Sequence, residues 1–371
     1  MELTALLFSN GYDENLQELT RNRTLGSLPF LGQYRIIDFV LSNLANSQVE
    51  EVGVITRQNY QSLLEHLGTG QAWGYGVKGR TLTVLPPFGS KNAIVYKGKM
   101  EALYGALRYL KHSQAEYVLL SDSNLVFSLD YRHMLECHRT SKADITILAH
   151  KGSLRQNSPH HQNLVLEADR NGQVTQVLIN CFSEGEGYVG LNTYLLKREL
   201  LIRLTEQAHI DCAISFERNV LAEQFDSLRC QLFELKGYAA MVDSVQEYLG
   251  CSMDFLSPDI QRQIFRSDWP VYTSIRPGVP VLYDPNCTVS NSLIADSCKI
   301  QGNVFNSILF QGVTVEKGAT IKNSVVMKNS RVGENAVLEF CIIDKNSNIG
   351  SSKLLMGVDR FPVVIKKGSM V

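Results

Sequence analysis

Short apolar runs alternate with amphipathic stretches over the first 150 residues of this 371-residue chain. The apolar runs predict buried strands, and the stretches with apolar residues three and four apart predict helices. We expect strands at 3–8, 51–57, 81–87, 117–123 and 144–150, and helices at 36–44, 58–67 and 99–110. This alternation is typical of an α/β fold with a mostly parallel sheet and helices on both faces. Ligands of such sheets bind at the carboxyl ends of the strands, where the loops after Phe8, Pro86 and Leu120 should converge.

Strand-like runs continue beyond this region and end in a predicted helix at 245–256. The further strands are expected at 163–168, 173–180, 188–194 and 230–244. The next segment has few apolar runs and several prolines, which indicates a linker. The sequence therefore predicts an N-terminal α/β domain over 1–256 and a linker over 257–280.

From about Val281 the apolar residues recur six apart, with glycine and asparagine between them. The repeating aliphatic positions include Ile294 and Ile300; Val315, Ile321 and Met327; Val326, Val332 and Leu338; and Ile343 and Ile349. This period is typical of a left-handed parallel β-helix, in which each triangular face takes one hexapeptide. The alternative is a string of ordinary short strands, but the sustained phase favours a β-helix over 281–371. Such solenoids commonly mediate assembly through their ends and faces.

Composition excludes several classes of protein. The net charge of −1 argues against a nucleic-acid or membrane-surface binder. No apolar run approaches the roughly 20 residues of a membrane span, and no basic region precedes the first apolar run as in a signal peptide. The eight cysteines are scattered without a C-x-x-C pair, and the eight histidines show no zinc-binding spacing. We expect a cytoplasmic protein with reduced thiols.

Three long segments carry a resemblance to a known family: GQYRIIDFVLSNLANS (32–47), EYVLLSDSNLVFSLDYRHML (116–135) and the repeats at 307–350. They resemble ADP-glucose pyrophosphorylase, the glucose-1-phosphate adenylyltransferase of bacterial glycogen biosynthesis. The resemblance implies a Rossmann-like nucleotidyltransferase domain, a C-terminal left-handed β-helix and tetramers. It also implies the family's reaction, in which the phosphate of glucose 1-phosphate attacks the α-phosphorus of ATP. That reaction requires a cradle for the triphosphate, carboxylates for Mg²⁺ and a pocket for the sugar.

The loop after the first strand departs from the family's phosphate loop, GGxGTRL. A strand that leads through a loop into a helix is where α/β folds bind phosphates. Here the aligned nucleotide-binding loop has Asn10, Gly11, Asp13 and Glu14, so one glycine remains and the arginine is gone. A like-charge pair about 5 Å apart costs roughly 3 kcal/mol at an effective dielectric constant near 20. We therefore interpret the loop as degenerate.

Other family motifs are altered as well. The GTADA motif reads Gly98-Lys99-Met100-Glu101-Ala102, and the PAQQ motif reads Pro86-Pro87-Phe88-Gly89. The RAKP motif has Leu25 in place of its lysine, and no lysine between Lys151 and Lys197 supplies the sugar-phosphate contact of the EKP motif. The resemblance therefore implies weakened contacts to both substrates.

One acidic metal ligand of the family is retained, at Asp122, whereas Met241 replaces the second. Asp243 is a weak substitute, because a residue two positions along a strand faces the same side. A lone carboxylate is a poor Mg²⁺ site without substrate phosphates, and an aspartate at a strand end also serves as a cap. We assign no catalytic residue, keep Asp122 as a vestigial candidate, and expect Mg²⁺ only if activity remains.

These departures place the chain nearest to the family's non-catalytic D-type regulatory subunit. The resemblance then implies a heterotetramer with a catalytic ADP-glucose pyrophosphorylase subunit, although a homo-oligomer of this chain alone is an alternative. Arg23 and Arg35 match positions associated with sugar-phosphate effectors, or they have structural roles such as a tie between Arg35 and Asp38.

Three other functions remain open. The first is an active or weakly active nucleotidyltransferase with a rebuilt site that uses Asp122 and Asp243. The second is a hexapeptide-repeat acyltransferase, which typically needs a histidine on the β-helix, whereas the last histidine here is His209. The third is a sugar-phosphate sensor that acts alone.

Overall fold

The computed structural model describes residues 2–9, 11–77, 79–87, 96–153, 164–180, 186–275 and 277–371. The chain forms two compact units, and neither is continuous in sequence. The first contains the chain up to Gly11 together with Phe39–Met241, and the second contains Tyr12–Asp38 together with Val242–Val371. The domain bounds of 1–256, 257–280 and 281–371 stay predictions about sequence organisation, because the compact units divide at other residues.

The helices are distributed over both units. They are α1 (Gln17–Thr20), α2 (Ile37–Asn46), α3 (Gln61–Leu67), α4 (Lys99–Gly105), α5 (Leu107–His112), α6 (Tyr131–Ser141), α7 (Arg198–Ile210), α8 (Val245–Asp254) and α9 (Pro258–Ile264). The single helix predicted at 99–110 is interrupted at Ala106. Its neighbour Gly105 lowers helix propensity, and the Tyr96 hydroxyl oxygen lies only 2.3 Å from where a Cβ at residue 105 would be. The helix α9 lies within the predicted linker and begins with Pro258, which is favourable in a first helical turn.

The strands outside the repeat region range in length from two to twelve residues. They are β1 (Leu3–Phe8), β2 (Pro29–Phe30), β3 (Tyr34–Arg35), β4 (Glu51–Ile55), β5 (Thr81–Leu85), β6 (Tyr117–Asp122), β7 (Leu125–Phe127), β8 (Ile145–Ser153), β9 (Leu164–Ala168), β10 (Val174–Ile179), β11 (Glu186–Lys197), β12 (Cys230–Leu235) and β13 (Ala239–Met241).

The main sheet of the first unit has the order β10-β9-β11-β6-β1-β4-β5, with β8 beside β11 and β12 beside β8. Its β6, β1, β4 and β5 strands are parallel, as predicted, whereas β11 runs antiparallel to β6, β8 and β9. Buried residues of α4, α5 and α7 pack on this sheet. At its carboxyl edge Phe8 pairs with both Ile55 and Asp122, so the loops after β1 and β6 start side by side. The loop after β5 starts two strands away from β1.

The repeat region of the second unit begins at Leu282. Its strands are β14 (Leu282–Tyr283), β15 (Val289–Ser290), β16 (Leu293–Ile294), β17 (Lys299–Ile300), β18 (Asn303–Phe305), β19 (Ile308–Leu309), β20 (Thr314–Val315), β21 (Thr320–Lys322), β22 (Val325–Val326), β23 (Arg331–Val332), β24 (Val337–Glu339), β25 (Cys341–Ile343), β26 (Asn348–Ile349), β27 (Leu354–Met356) and β28 (Val363–Ile365). Every third strand is paired in parallel, which gives three parallel sheets along the solenoid. The predicted left-handed β-helix is confirmed.

The coils of the β-helix are slightly shorter than three hexapeptides. Equivalent serines on successive coils are 17 residues apart, and 15 apart at the first turn. The step from Leu338 to Ile343 is one residue shorter than the step from Val332 to Leu338. The step from Ile321 is likewise five residues, so that of the two predicted positions Val326 and Met327 only Val326 belongs to the core cluster of the β-helix.

The segment 12–38, called the 12–38 excursion below, packs within the second unit against helices that precede the β-helix. The Tyr248 hydroxyl donates a hydrogen bond to the Pro29 carbonyl oxygen at 2.8 Å, and the Phe30 and Phe255 rings meet edge to face with centroids 5.6 Å apart. These contacts explain why 12–38 belongs to this unit. Among the described helices, none is long and apolar enough to cross a membrane.

A buried histidine makes the first unit sensitive to acid. His138 on α6 is almost fully buried, and its Nδ1 lies 2.8 Å from Thr146 Oγ1. Burial, with smaller effects from Lys197 and Arg139, lowers the pKa of His138 from 6.5 to about 4. Since the unfolded chain then binds more protons between these values, stability should fall as the pH drops from about 6.5 to 4.

We predict that His138→Gln flattens this pH dependence. The free energy of unfolding of the unmodified protein should fall by up to about 3 kcal/mol between pH 6.5 and 4 through this residue. Urea denaturation across that range measures the effect. His133→Gln, on the exposed side of the same helix, is the matched control and should leave the pH profile unchanged. Equal slopes for the two variants would contradict the prediction.

Candidate functional site

The retained acid lies where the sheet predicts a ligand site. Asp122 is the last residue of β6, and its residue surface is 1% exposed. The loop glycine remains close to it, because a Cβ on Gly11 would lie 4.0 Å from Asp122 Oδ2. Gly11, the glycine left in the degenerate loop, therefore lies beside a strand-end carboxylate, where a phosphate loop is expected.

A lysine that the sequence did not single out neutralises this carboxylate. Lys99 begins α4, and its Nζ lies 3.1 Å from Asp122 Oδ1 and 2.6 Å from Glu217 Oε1. Glu217 begins the π-helical segment Glu217–Ala222 and is also buried. One ammonium group therefore bridges two carboxylates from different elements. We call Lys99, Asp122 and Glu217 the bridged cluster.

Backbone contacts fix the position of Lys99. The residue before it, Gly98, passes so close to Ile214 that an added Cβ would lie 2.3 Å from Ile214 Cγ2. The Met100 N–H donates a hydrogen bond to the Ile214 carbonyl oxygen at 3.0 Å. Because the first turn of α4 is held on this segment, the lysine side chain extends toward the carboxyl edge of the sheet.

Neutral side chains complete the hydrogen bonding of the bridged cluster. Asn192 Nδ2 donates to Asp122 Oδ2 at 2.9 Å, and the Tyr194 hydroxyl donates to Glu217 Oε1 at 3.2 Å. Asn192 has a positive φ of 46° and lies at an irregularity of β11. Such irregularities redirect side chains next to functional sites.

The two carboxyl groups respond differently to their surroundings. Burial raises the pKa of Asp122, and Lys99 only partly opposes this effect while Glu217 adds to it. Burial would also raise the pKa of Glu217, but the charge and hydrogen bond of Lys99 outweigh it and the pKa is lowered. The ammonium therefore offsets the burial of Glu217 more fully than that of Asp122.

These residues do not fit a magnesium ion. Mg²⁺ requires near-octahedral oxygen ligands at about 2.0–2.1 Å, whereas Lys99 Nζ already occupies the space beside Asp122 Oδ1. Within the described ranges, no group of three or more His, Cys, Asp or Glu residues is arranged to hold a metal. The other proposed ligand, Asp243, is fully buried in the second unit, and Met241 is paired with Leu125 at the end of β13.

The carboxylates of the degenerate loop are not equivalent. Asp13 begins a short 3-10 helix, Asp13–Leu16, and its Oδ1 accepts a hydrogen bond from the Leu25 N–H at 2.8 Å. Glu14 in the same turn is exposed, and Asn10 lies outside the described residues. Asp13 therefore serves as a structural acceptor that fixes the chain between the loop and Leu25.

Comparison with known proteins decides the family. A protein-family model described as "Nucleotidyl transferase" matches residues 4–206, and one described as "GlmU-like, C-terminal hexapeptide" matches 282–361. The glycogen biosynthesis protein GlgD of Bacillus subtilis is 32% identical over 99% of this chain and 96% of its own length. The glucose-1-phosphate adenylyltransferase of Geobacillus stearothermophilus is 32% identical over 86% of this chain and 82% of its own length. The chain belongs to the glucose-1-phosphate adenylyltransferase family.

Against that family, the bridged cluster contains both a retained and an altered position. Asp122 matches the family's acid, while Lys99 replaces the threonine of the GTADA motif. Sequence reasoning noted this replacement without connecting it to Asp122, and it missed Glu217, Asn192 and Tyr194. The available signal was a lysine that is new to a family motif, in a chain that keeps one acid.

One of the two arginines proposed as effector ligands already has a buried partner. Arg23 Nη2 lies 2.8 and 2.6 Å from the two carboxylate oxygens of Asp344, and both side chains are buried. Its Nη1 also contacts the Met327 sulfur at 3.9 Å, which explains why Met327 lies outside the β-helix core. Arg23 therefore attaches the 12–38 excursion to the β-helix.

Arg35 has a more open environment. Its Nη1 donates to the Ser27 carbonyl oxygen at 3.2 Å, and its backbone N–H donates to Asp38 Oδ2 at 2.9 Å. A tie to Asp38 was one of the two alternatives for Arg35, and this backbone hydrogen bond is such a tie. Nearby, burial, followed by the charges of Arg35 and Arg23, lowers the pKa of Lys345 from 10.5 to about 7. Several cationic groups thus surround Lys345, and the adjacent acid, Asp344, is already paired with Arg23.

We predict that Arg23→Met destabilises the second unit by about 3–5 kcal/mol, because it leaves Asp344 buried without its partner. Guanidinium denaturation followed by far-UV circular dichroism measures the loss. The matched control is Arg331→Met, which breaks the exposed ion pair with Glu316 and should cost no more than about 1 kcal/mol. Asp344→Leu in the Arg23→Met background should recover part of the stability, and similar losses for Arg23→Met and Arg331→Met would refute the structural role.

Proposed function

We propose that this chain is a regulatory, catalytically impaired subunit of glucose-1-phosphate adenylyltransferase in glycogen biosynthesis. The observation that carries the proposal is the bridged cluster, in which Lys99 neutralises the single acid retained from the family's metal site. A carboxylate held by an internal ammonium does not offer the charge that an Mg²⁺–ATP complex requires.

The phosphate loop supports the same conclusion. The family's arginine is missing, and loss of a transition-state arginine reduces phosphoryl transfer on the order of 10³-fold or more. Asp13, one of the two carboxylates in this loop, accepts a backbone hydrogen bond from Leu25. The changes therefore affect two separate parts of the machinery, the loop and the metal site.

Similarity extends over almost the whole of a relative named for glycogen biosynthesis, the GlgD protein. Family members named as adenylyltransferases are also similar, over a smaller share of this chain. We propose a catalytic subunit of the family as the partner, in a heterotetramer. A homo-oligomer of this chain alone is the alternative assembly.

The test combines the pure chain with the catalytic glucose-1-phosphate adenylyltransferase of the same organism. We expect co-elution on size-exclusion chromatography and a change in the partner's KM or effector response. We expect the chain alone to release pyrophosphate from ATP at least about 10³-fold more slowly than the partner. Separate elution with unchanged kinetics would refute the regulatory role.

The second candidate function is an active nucleotidyltransferase that uses Asp122 and Asp243. Both residues carry buried carboxyl groups, and this observation is the reason to test the second function. Robust pyrophosphate release by the chain alone, abolished by Asp122→Asn, would establish it and refute the impaired subunit.

A sugar-phosphate effector is a further part of the proposal. With Arg23 paired to Asp344, we propose that Arg35 and Lys345 contact the anion. The lowered pKa of Lys345, about 7, reflects burial among other cations, and a bound phosphate would relieve their repulsion.

The advantage of the unmodified chain over Lys345→Met in binding inorganic phosphate or a hexose phosphate should therefore grow as the pH falls through 7, a comparison in which the titration of the ligand itself cancels. We expect Lys345→Met to weaken binding about tenfold or more by calorimetry, whereas Lys353→Met, at an exposed lysine of the same β-helix, should not. Equal phosphate affinities of the two variants would show that Lys345 does not contact the anion.

A further inference from the structure

We propose that the Lys99 ammonium is the resident cation of the strand-end site, and that Asp122 and Glu217 form a latent divalent-cation site that Lys99 keeps filled. The inference deepens the proposed function, since it rests on the loss of metal-dependent chemistry. It adds that the Lys99 ammonium supplies the positive charge that a metal ion would otherwise provide. It also adds that shortening the Lys99 side chain exposes a divalent-cation site.

The position of the ammonium supports this assignment. Lys99 Nζ lies 3.1 Å from Asp122 Oδ1 and 2.6 Å from Glu217 Oε1, so it sits between two anionic oxygens as a bridging cation would. Three separate elements supply the members of the cluster: the first residue of α4, the last residue of β6 and the first residue of Glu217–Ala222. The arrangement is therefore built by tertiary structure and is not a local pair on one helix.

Aromatic rings add to the preference for a positive charge. Lys99 Nζ lies 5.6 Å from the centroid of the Phe8 ring and 5.7 Å from that of Tyr194. Rings at this distance attract a cation through their negative faces. The Lys99 side chain is 16% exposed, while Asp122 and Glu217 are 2% and 9% exposed. Both carboxyl groups thus depend on an internal cation, because water reaches them poorly.

A divalent ion cannot add to this site while the lysine is present. It would have to share the carboxylates with an ammonium at close range, and the two cations would repel each other at low local dielectric. The lysine is also covalently attached, so it competes without the cost of bringing an ion from solution. These two effects predict that the unmodified chain does not bind Mg²⁺ or Mn²⁺ at this site at millimolar concentrations.

Removal of the ammonium reverses the balance. Lys99→Ala leaves two buried carboxyl groups facing the vacated space, with Asn192 hydrogen-bonded to one of them. Buried charges without a partner are strongly unfavourable, so either protons or a cation must replace the lysine. With only two carboxylates and completing waters, we expect an affinity at the weak end known for calcium sites, about 10⁻⁴–10⁻³ M.

The experiment titrates the full-length protein with Mn²⁺ alone, by electron paramagnetic resonance of free Mn²⁺ and by thermal unfolding. We expect no saturable binding for the unmodified chain and one site for Lys99→Ala, with a melting temperature that rises with Mn²⁺. Lys97→Ala, at an exposed lysine two residues earlier, is the matched control and should behave as the unmodified chain. Adding Glu217→Gln to Lys99→Ala should weaken the new site at least tenfold.

Lys99→Ser is the second variant, because its hydroxyl group retains a hydrogen-bonding partner if alanine prevents folding. Folded Lys99→Ala or Lys99→Ser without saturable Mn²⁺ binding would overturn the inference. So would Mn²⁺ binding by the unmodified chain that Asp122→Asn abolishes. Neither readout involves nucleotide or turnover, so failure of this inference is distinguishable from catalytic activity of the chain alone, which would instead refute the proposed function.

Discussion

A buried carboxylate must be matched by a positive charge or lose its own, and this requirement organises the candidate site. Asp122 and Glu217 come from different parts of the chain, yet both meet Lys99. The lysine arrives there because α4 starts against Ile214, where Gly98 permits close contact. The start of α4 and the irregularity of β11 place Lys99 and Asn192 beside these acids. Both features therefore reduce the free-energy cost of burying the two carboxylates.

The second unit meets the same requirement with a different residue. Arg23 and Asp344 are separated by 321 residues in sequence and form a buried ion pair. Arg23, at a position that the family resemblance associates with effectors, thus helps to attach the segment 12–38 to the β-helix. Burial, followed by the charges of Arg35 and Arg23, lowers the pKa of the neighbouring Lys345 to about 7. Arg23 is therefore a structural cation, whereas the charge of Lys345 changes with pH near neutrality.

The sequence predicted the fold well because periodicity reports burial directly. The strands at 3–8 and 117–123 and the β-helix follow from apolar spacing, and the shorter 17-residue coil differs from the prediction by only one residue. The site was harder, since charge pairing depends on tertiary proximity that no spacing encodes. Asp122 was found through its strand end, whereas Glu217 lies 95 residues beyond and has no sequence pattern that links it to Lys99. The break at Ala106 escaped prediction for a similar reason, because Tyr96 packs against the neighbouring Gly105.

The discontinuity of the second unit has a consequence for biosynthesis. The segment 12–38 is made first, but its partners near Asp344 are 321 residues further along. At about 5–20 residues per second, roughly 15–60 s pass before those partners leave the ribosome. Phe30 waits a shorter time, because its partner Phe255 follows 225 residues later, whereas Arg23 stays without Asp344 for the whole interval. The nascent chain therefore exposes the apolar segment around Phe30 until Phe255 emerges, and its folding yield should depend on chaperones that bind such segments early.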